Sequence, residues 1–360
     1  MKRHYRLLLV LLPVLAGAAV WWAVTPREPA YGGKSLSRWI AVIKAGPYAK
    51  VPRYGSTPTE DEAIWAMGLK ALPGLLESVR ARDYEPWWSA TYRRCFLHLP
   101  PGLQGVLPAP APLDPARESS FQYYVVNFCD GLWPQSKPLL IRTLRHPRAE
   151  VRSTAIMALR WRTNHQAELL PALTNLLQDP DGEVRVWVHT AIANYGPAAS
   201  NAVPAIVDNL LSRHRPAGFN PSESEQVTAA DALGRMGPAA VAAVPVLQAG
   251  AAQQTYPCYR VTCAIALWRI RHHAPDALPI LVQEFQRSPD MFKPMILDCF
   301  GEMGTAAAGA VPDILQFLAS PPNPNDFEDD VARQKAREAL RKIAPDAAAK
   351  RQRKVEKREP

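Results

Sequence analysis

Proline recurs along this chain at a nearly fixed step, each time followed by an apolar run with helical spacing. The segments are "ALPGLLESV" (71–79), "SKPLLIRTL" (136–144), "LLPALTNLL" (169–177), "AVPAIVDNLL" (202–211), "AVPVLQAGA" (243–251), "ALPILVQEF" (277–285) and "AVPDILQFL" (310–318). From Pro138 the series runs through Pro171, Pro204, Pro245, Pro279 and Pro312, in steps of 33, 33, 41, 34 and 33 residues. Pro73 stands 65 residues before Pro138, close to two such steps. Nine residues before the later prolines, at Arg162, Tyr195, Met236, Ile270 and Met303, another helical run ends, and Gly196-Pro197, Gly237-Pro238 and Gly304 follow three of these ends. Self-similarity at a period in the thirties is the signature of stacked helical repeats.

The local chemistry explains the double break. Glycine just past a helix takes the left-handed conformation that closes a C-cap, and a following proline cannot continue the helix. Proline in a first turn costs little, because its missing N–H has no intrahelical partner there. Each unit therefore reads as a first helix, a tight corner, and a second helix begun at its proline. Neither helix buries its apolar stripe alone; stacking on the neighbouring pair does that. The expected fold is all-α: an α-solenoid, or alpha-alpha superhelix, of about seven to eight helix pairs spanning 55–345.

The residues that carry this reading resemble HEAT repeats of the short bacterial type. The first helix is represented by "AEVRSTAIMALRW" (149–161), and the corner and second helix by "GPAASNAVPAIV" (196–207), "AVAAVPVL" (240–247) and "AAAGAVPDIL" (306–315). The resemblance is clear over 135–345 and looser over 55–135. It implies a scaffold for protein or peptide partners, with the second helices lining the concave side. Such arrays host many roles. They include alkylpurine DNA glycosylases and lyases that attach chromophores to light-harvesting proteins, so an enzyme accessory or a nucleic-acid binder is the alternative. One departure concerns the Asp usual in this family four residues before the first-helix Arg. It is present as Asp181 before Arg185 and absent before Arg152 and Arg260, so the expected polar ladder between repeats is incomplete.

The two ends read differently from the array. "MKRHYR" is basic, and residues 7–24 run without a charge, at the lower limit for crossing a bilayer. Lys2, Arg3 and Arg6 would stay on the cytoplasmic side, with Trp21 and Trp22 in an outer interfacial belt. This is either an uncleaved inner-membrane anchor or a signal peptide cut near Ala16-Gly17-Ala18. Either way the array is exported to the periplasmic side, anchored or released. Residues 1–25 are thus set apart. Residues 26–54 form a linker and cap that resembles the Tyr-x-Gly-Lys-x-Leu-Ser-x-Trp segment of envelope HEAT proteins through Tyr31, Lys34, Leu36, Ser37 and Trp39. There Ser35 or Ser37 is suited to N-cap a helix whose Leu36, Trp39, Ile40 and Ile43 share a face. The segment 100–115 is a proline-rich connector. Residues 346–360 are a basic tail, and it and the first six residues supply most of the net charge of +9.

Catalytic machinery is not visible. The five cysteines form no Cys-x-x-Cys pair, the histidines do not converge with acids at ligand spacing, and no phosphate loop or nucleophile elbow occurs. No cofactor or metal is expected. Ser222-x-x-Glu225 reads as a capping box. Arg152, Arg185, Arg260 and Lys293, with Gln226 in the remaining repeat, stand 19 residues before their prolines. They form either a ladder between repeats or a basic stripe. Four residues after each proline come Arg142, Asn175, Asp208, Ala249, Gln283 and Gln316, polar among Leu, Ile and Val, and this row is the candidate surface for a protein or peptide. The step of 41 leaves an insertion, "SRHRPAGFNPSE" (212–223), whose Arg213, Arg215 and Phe219 join that candidate surface. The body shows no basic groove interleaved with aromatics, which argues against nucleic acid.

Overall fold

The computed structural model describes residues 28–45, 58–80, 91–92, 94–96, 98–100, 115–211, 222–253, 256–287, 292–321 and 327–356. The apolar segment 7–24, most of the proline-rich connector, and Arg213, His214, Arg215 and Phe219 lie outside the described residues. No described helix is long and apolar enough to cross a membrane. Contacts divide the chain into two units, Met1–Pro138 and Leu139–Pro360.

The first unit begins with a two-residue ribbon, β1 (Ala30–Tyr31) against β2 (Lys34–Ser35), turned by Gly32 and Gly33 at φ 55° and 75°. Two consecutive positive φ values are what a tight hairpin turn requires, and the Gly-Gly dipeptide supplies them. Helix α1 (Leu36–Ala45) follows, then α2 (Pro58–Met67), α3 (Leu72–Ser78) and α4 (Pro115–Gly131). Leu36, Trp39, Ile40 and Ile43 are buried on one face of α1, as their spacing predicts. That face packs on α2, α3 and α4, so the segment is a lid over the first helices. The cap chemistry differs from expectation. The Ser37 amide donates to the Glu28 carboxylate at 3.1 Å and the Leu36 amide to the Pro29 carbonyl at 2.8 Å, while Ser35 and Ser37 bond each other. An acidic group at a helix N-terminus satisfies free N–H groups and the helix dipole together. Lys44 Nζ closes the lid, reaching Ser78 O and the Glu118 carboxylate, both at 2.8 Å.

The second unit is a series of helix pairs after α5 (Lys137–Thr143). The pairs are α6 (Ala149–Leu159) with α7 (Gln166–Asn175), α8 (Gly182–Tyr195) with α9 (Val203–Leu211), and α10 (Glu223–Met236) with α11 (Val244–Ala252). Then come α12 (Pro257–Arg271) with α13 (Ala274–Arg287), α14 (Lys293–Met303) with α15 (Val311–Ala319), and α16 (Phe327–Ile343) with α17 (Pro345–Glu356). Each first helix packs on the next, α6 on α8, α8 on α10, α10 on α12, α12 on α14 and α14 on α16. This is an all-α solenoid in the Leu139–Pro360 unit. The second helices present Leu140, Leu173, Ile206, Leu247, Leu281 and Ile314, each two residues after its proline, to the interior with no more than traces of exposure.

The corners are tighter than a left-handed cap. Gly196, Gly237 and Gly304 cap α8, α10 and α14 at φ 55° to 62° and ψ −135° to −142°, a region open in practice to glycine alone. A seven-residue 3-10 stretch follows each and delivers Pro204, Pro245 and Pro312 to the second position of their helices. Pro171 and Pro279 depart from the expected first-turn setting. They are the sixth residues of α7 and α13, because those two corners lack the glycine and the helix starts early. In the corner before α13, His272 takes the left-handed conformation at φ 50° instead. The apolar register after the proline is unchanged, so the packing positions stay equivalent while the local backbone differs.

Candidate functional site

Two features of the second unit carry the polar chemistry, one buried and one exposed. The buried one is the arginine row. Arg152, Arg185 and Arg260 are each under a tenth exposed, Arg185 only 1%. Each donates to carbonyls at or just past the end of the preceding second helix. Arg152 reaches His146 O and Pro147 O (2.8 and 2.9 Å), Arg185 reaches Asp179 O (2.6 Å), and Arg260 reaches Ala251 O (3.1 Å). Helix C-termini leave carbonyls without partners and favour a cation, so one guanidinium answers both needs. Arg333 on α16 repeats the device, donating to Ser320 O and Pro321 O at 3.1 and 3.0 Å.

Each guanidinium also meets a carboxylate. Arg152 forms a two-pronged pair with Asp179 (2.8 and 2.7 Å) and Arg185 with Glu225 (2.6 and 2.8 Å); Arg260 pairs with Glu284, and Arg333 with Asp329 (2.7 Å). All four arginines are thus paired with acids from different registers, but Arg260–Glu284 lies within one helix pair and Arg333–Asp329 within one helix, so the carboxylate ladder does not run through every repeat. Asp181 is not Arg185's partner: it N-caps α8, accepting from the Val184 amide at 3.0 Å. Ser222 accepts from the Glu225 amide at 3.2 Å, half of the expected capping box. The other half is missing because the Glu225 carboxylate turns to Arg185. Buried and paired, these arginines do not form a basic stripe for an acidic partner.

The exposed feature is the row four residues after the prolines. Arg142, Asn175, Ala249 and Gln316 are exposed, and Asp208 and Gln283 are half-buried. Arg142, Asn175, Ala249 and Gln316 face away from the interior, as the alternation with apolar neighbours predicts. Gln283 is engaged on the inside as well, since its Oε1 accepts from Arg260 Nη2 at 2.7 Å.

A further row, ten residues before the prolines, was not singled out from the sequence. Asn194, Arg235, Arg269 and Glu302 stand in the last turns of their first helices and Trp161 just past the end of α6, and they line one cleft of about 740 Å³ with Thr163, Gly237 and His272. Arg269 bonds the Glu302 carboxylate at 3.0 and 2.8 Å and lies 3.6 Å from Asp231, which pairs with Arg235 at 2.8 Å. The signal was available: the register is constant, and Trp161 is an exposed tryptophan where its counterparts are polar.

Cys129, Cys263 and Cys299 are buried free thiols, and burial pushes Cys263 and Cys299 up to about 12. Such thiols are poor nucleophiles. Cys258 and Cys263 are both unpaired.

Helices paired by tight corners and stacked in chain order, with their charges buried at the joints, define an α-helical repeat protein. A family model described as HEAT repeats matches residues 136–217. A comparison with curated proteins finds no match. Among solved structures, the chain is similar to an engineered protein at 18% identity, covering 85% of this chain and 80% of that one with a TM-score of 0.44. It is similar to a second engineered protein at 18% identity, covering 84% and 97%, with a TM-score of 0.31. HEAT repeats generally mediate protein–protein interaction.

Proposed function

We propose that the chain is a non-catalytic scaffold of the cell envelope that holds a protein or peptide partner along its second helices. The observation that carries this reading is the register of Arg142, Asn175, Asp208 and Gln316. These polar residues recur at one position of successive helices and face outward, while residues two before and two after them are mostly buried. Polar groups repeated along one flank suit an extended partner better than a small molecule. Gln283 joins the row with its side chain already bonded, and Arg213, Arg215 and Phe219 of the insertion, outside the described residues, are proposed as further contacts.

In this reading the array spans 55–345 with 26–54 as cap, and of the basic segment 346–360 the residues up to Glu356 form α17, packed on α16, rather than a separate tail. Residues 1–25 tether it to the inner membrane or are removed on export, leaving the repeats on the periplasmic side. A photo-reactive residue placed at 142, 175 or 316 is expected to cross-link one common partner in membranes. The absence of any shared product would contradict the surface. An alkaline phosphatase fused after residue 40 should be active, and an inactive fusion would contradict export.

A further inference from the structure

We propose that the cleft along the ends of the first helices is a second docking surface, which takes an extended acidic peptide segment of a partner protein. A carboxylate of the segment meets Arg160, and a neighbouring apolar side chain lies on Trp161. Trp161, Asn194, Arg235, Arg269 and Glu302 occupy one register of five consecutive pairs and line the same cleft. Packed helices lie roughly 8–10 Å apart, and an extended chain advances about 3.3 Å per residue. Every third residue of such a segment therefore falls opposite a new repeat. Ala193, Gly234 and Trp268 also line the cleft, so its floor is small at Ala193 and Gly234, where it leaves room for a backbone.

The charges fix the chemistry of the occupant. Arg235, Asp231, Arg269 and Glu302 form a closed chain in which two guanidinium groups answer two carboxylates. Arg160 stands outside it. Its guanidinium lies 5.6 Å from the ring centres of both Trp161 and Trp187, and Nη1 donates to Met157 O at 2.6 Å. No carboxylate meets it among the described residues. The surplus positive charge is thus at the Trp161 end, beside a ring that is 62% exposed. Tryptophan and arginine are the residue types that dominate binding hot spots. A carboxylate next to an apolar side chain complements both groups at once.

The test is a selection of random twelve-residue peptides on the full-length protein in detergent. Enriched sequences are then synthesised with a fluorophore and titrated by anisotropy against wild type, Arg160→Gln, Trp161→Ala and Asn175→Ala. Arg160 and Trp161 are not core residues, and matching thermal unfolding curves establish that the variants fold. The expected result is enrichment of Asp or Glu beside an apolar residue. Affinity should fall at least about tenfold in Arg160→Gln and in Trp161→Ala, a loss of roughly 1.4 kcal/mol or more, and stay unchanged in Asn175→Ala. Failure to select any peptide, enrichment of basic ones, or equal affinity for all variants would overturn the proposal. Asn175→Ala reports where the peptide sits: a loss there with Arg160→Gln and Trp161→Ala unaffected would put it on the second-helix row and overturn the cleft, whereas the cross-linking experiment tests that row itself.

Discussion

Arg185 sits with 1% of its surface exposed between the end of α7 and the start of α10, held by bonds to Asp179 O and to both oxygens of Glu225. Removing one member of a buried ion pair leaves an uncompensated charge, at about 3–5 kcal/mol, whereas replacing both with apolar groups is close to neutral. Arg185→Met is therefore expected to lower the urea-derived unfolding free energy by that amount, and Arg185→Met with Glu225→Met to recover most of it. Equal losses in the single and double variants would deny that the two are coupled. Thiol chemistry offers a second residue-scale check. Cys95 is exposed and Cys258 half-buried, while Cys129, Cys263 and Cys299 are buried. At pH 8, a disulfide reagent should modify Cys95 fast and Cys258 slowly, and the other three only in denaturant. Cys263 and Cys299 ionise near 9 when unfolded and at about 12 when folded. The unfolded chain thus loses protons first, so stability is intact below pH 9 and declines as pH rises from 9 towards 12. Arg152, Arg185 and Arg260 were legible in the sequence because they keep a fixed distance from the prolines, and Arg333 was not, because it stands outside that register. Their acids were not, because Asp179 comes from a loop, Glu225 and Asp329 from the first turns of α10 and α16, and Glu284 from the interior of α13.

At the scale of elements, glycine has opposite roles within a few residues. Gly304 caps α14 at φ 57° with open space around a would-be Cβ, whereas Gly301 lies inside that helix at ordinary contact distance from Lys342. Gly304→Ala is expected to destabilise by about 1–3 kcal/mol through backbone strain. Gly301→Ala should stabilise by about 0.5–1 kcal/mol through helix propensity. Thermal melts of the two variants should move in opposite directions, and a shared direction would refute the reading of the corner. Gly234 has a third role. A Cβ there would stand 2.9 Å from Ala266 Cα, so Gly234→Ala should force α10 from α12 and cost about 1–3 kcal/mol. The helix ends at Tyr195, Met236 and Met303 were legible to the residue, because a Gly follows each one. Pro171 and Pro279 were misplaced by several residues, since without the glycine the chain re-forms helix before the proline rather than at it. The cleft row escaped notice because Trp161, Asn194, Arg235, Arg269 and Glu302 share a position and no residue type.

Over the whole Leu139–Pro360 unit, the stability of stacked pairs is a sum of pair and nearest-neighbour terms. The buried arginines lie at those joints, binding the end of one pair to the start of the next. Such an assembly has its slowest amides in the helices that are covered on both sides. Native-state hydrogen exchange read by mass spectrometry tests this most directly. Slow exchange should recur in α6, α8, α10, α12 and α14, at the step of the prolines, and Glu225→Gln should release protection at α8 and α10 while leaving α14 and α16 unchanged. Protection without that period, or a uniform loss across the unit in Glu225→Gln, would contradict it.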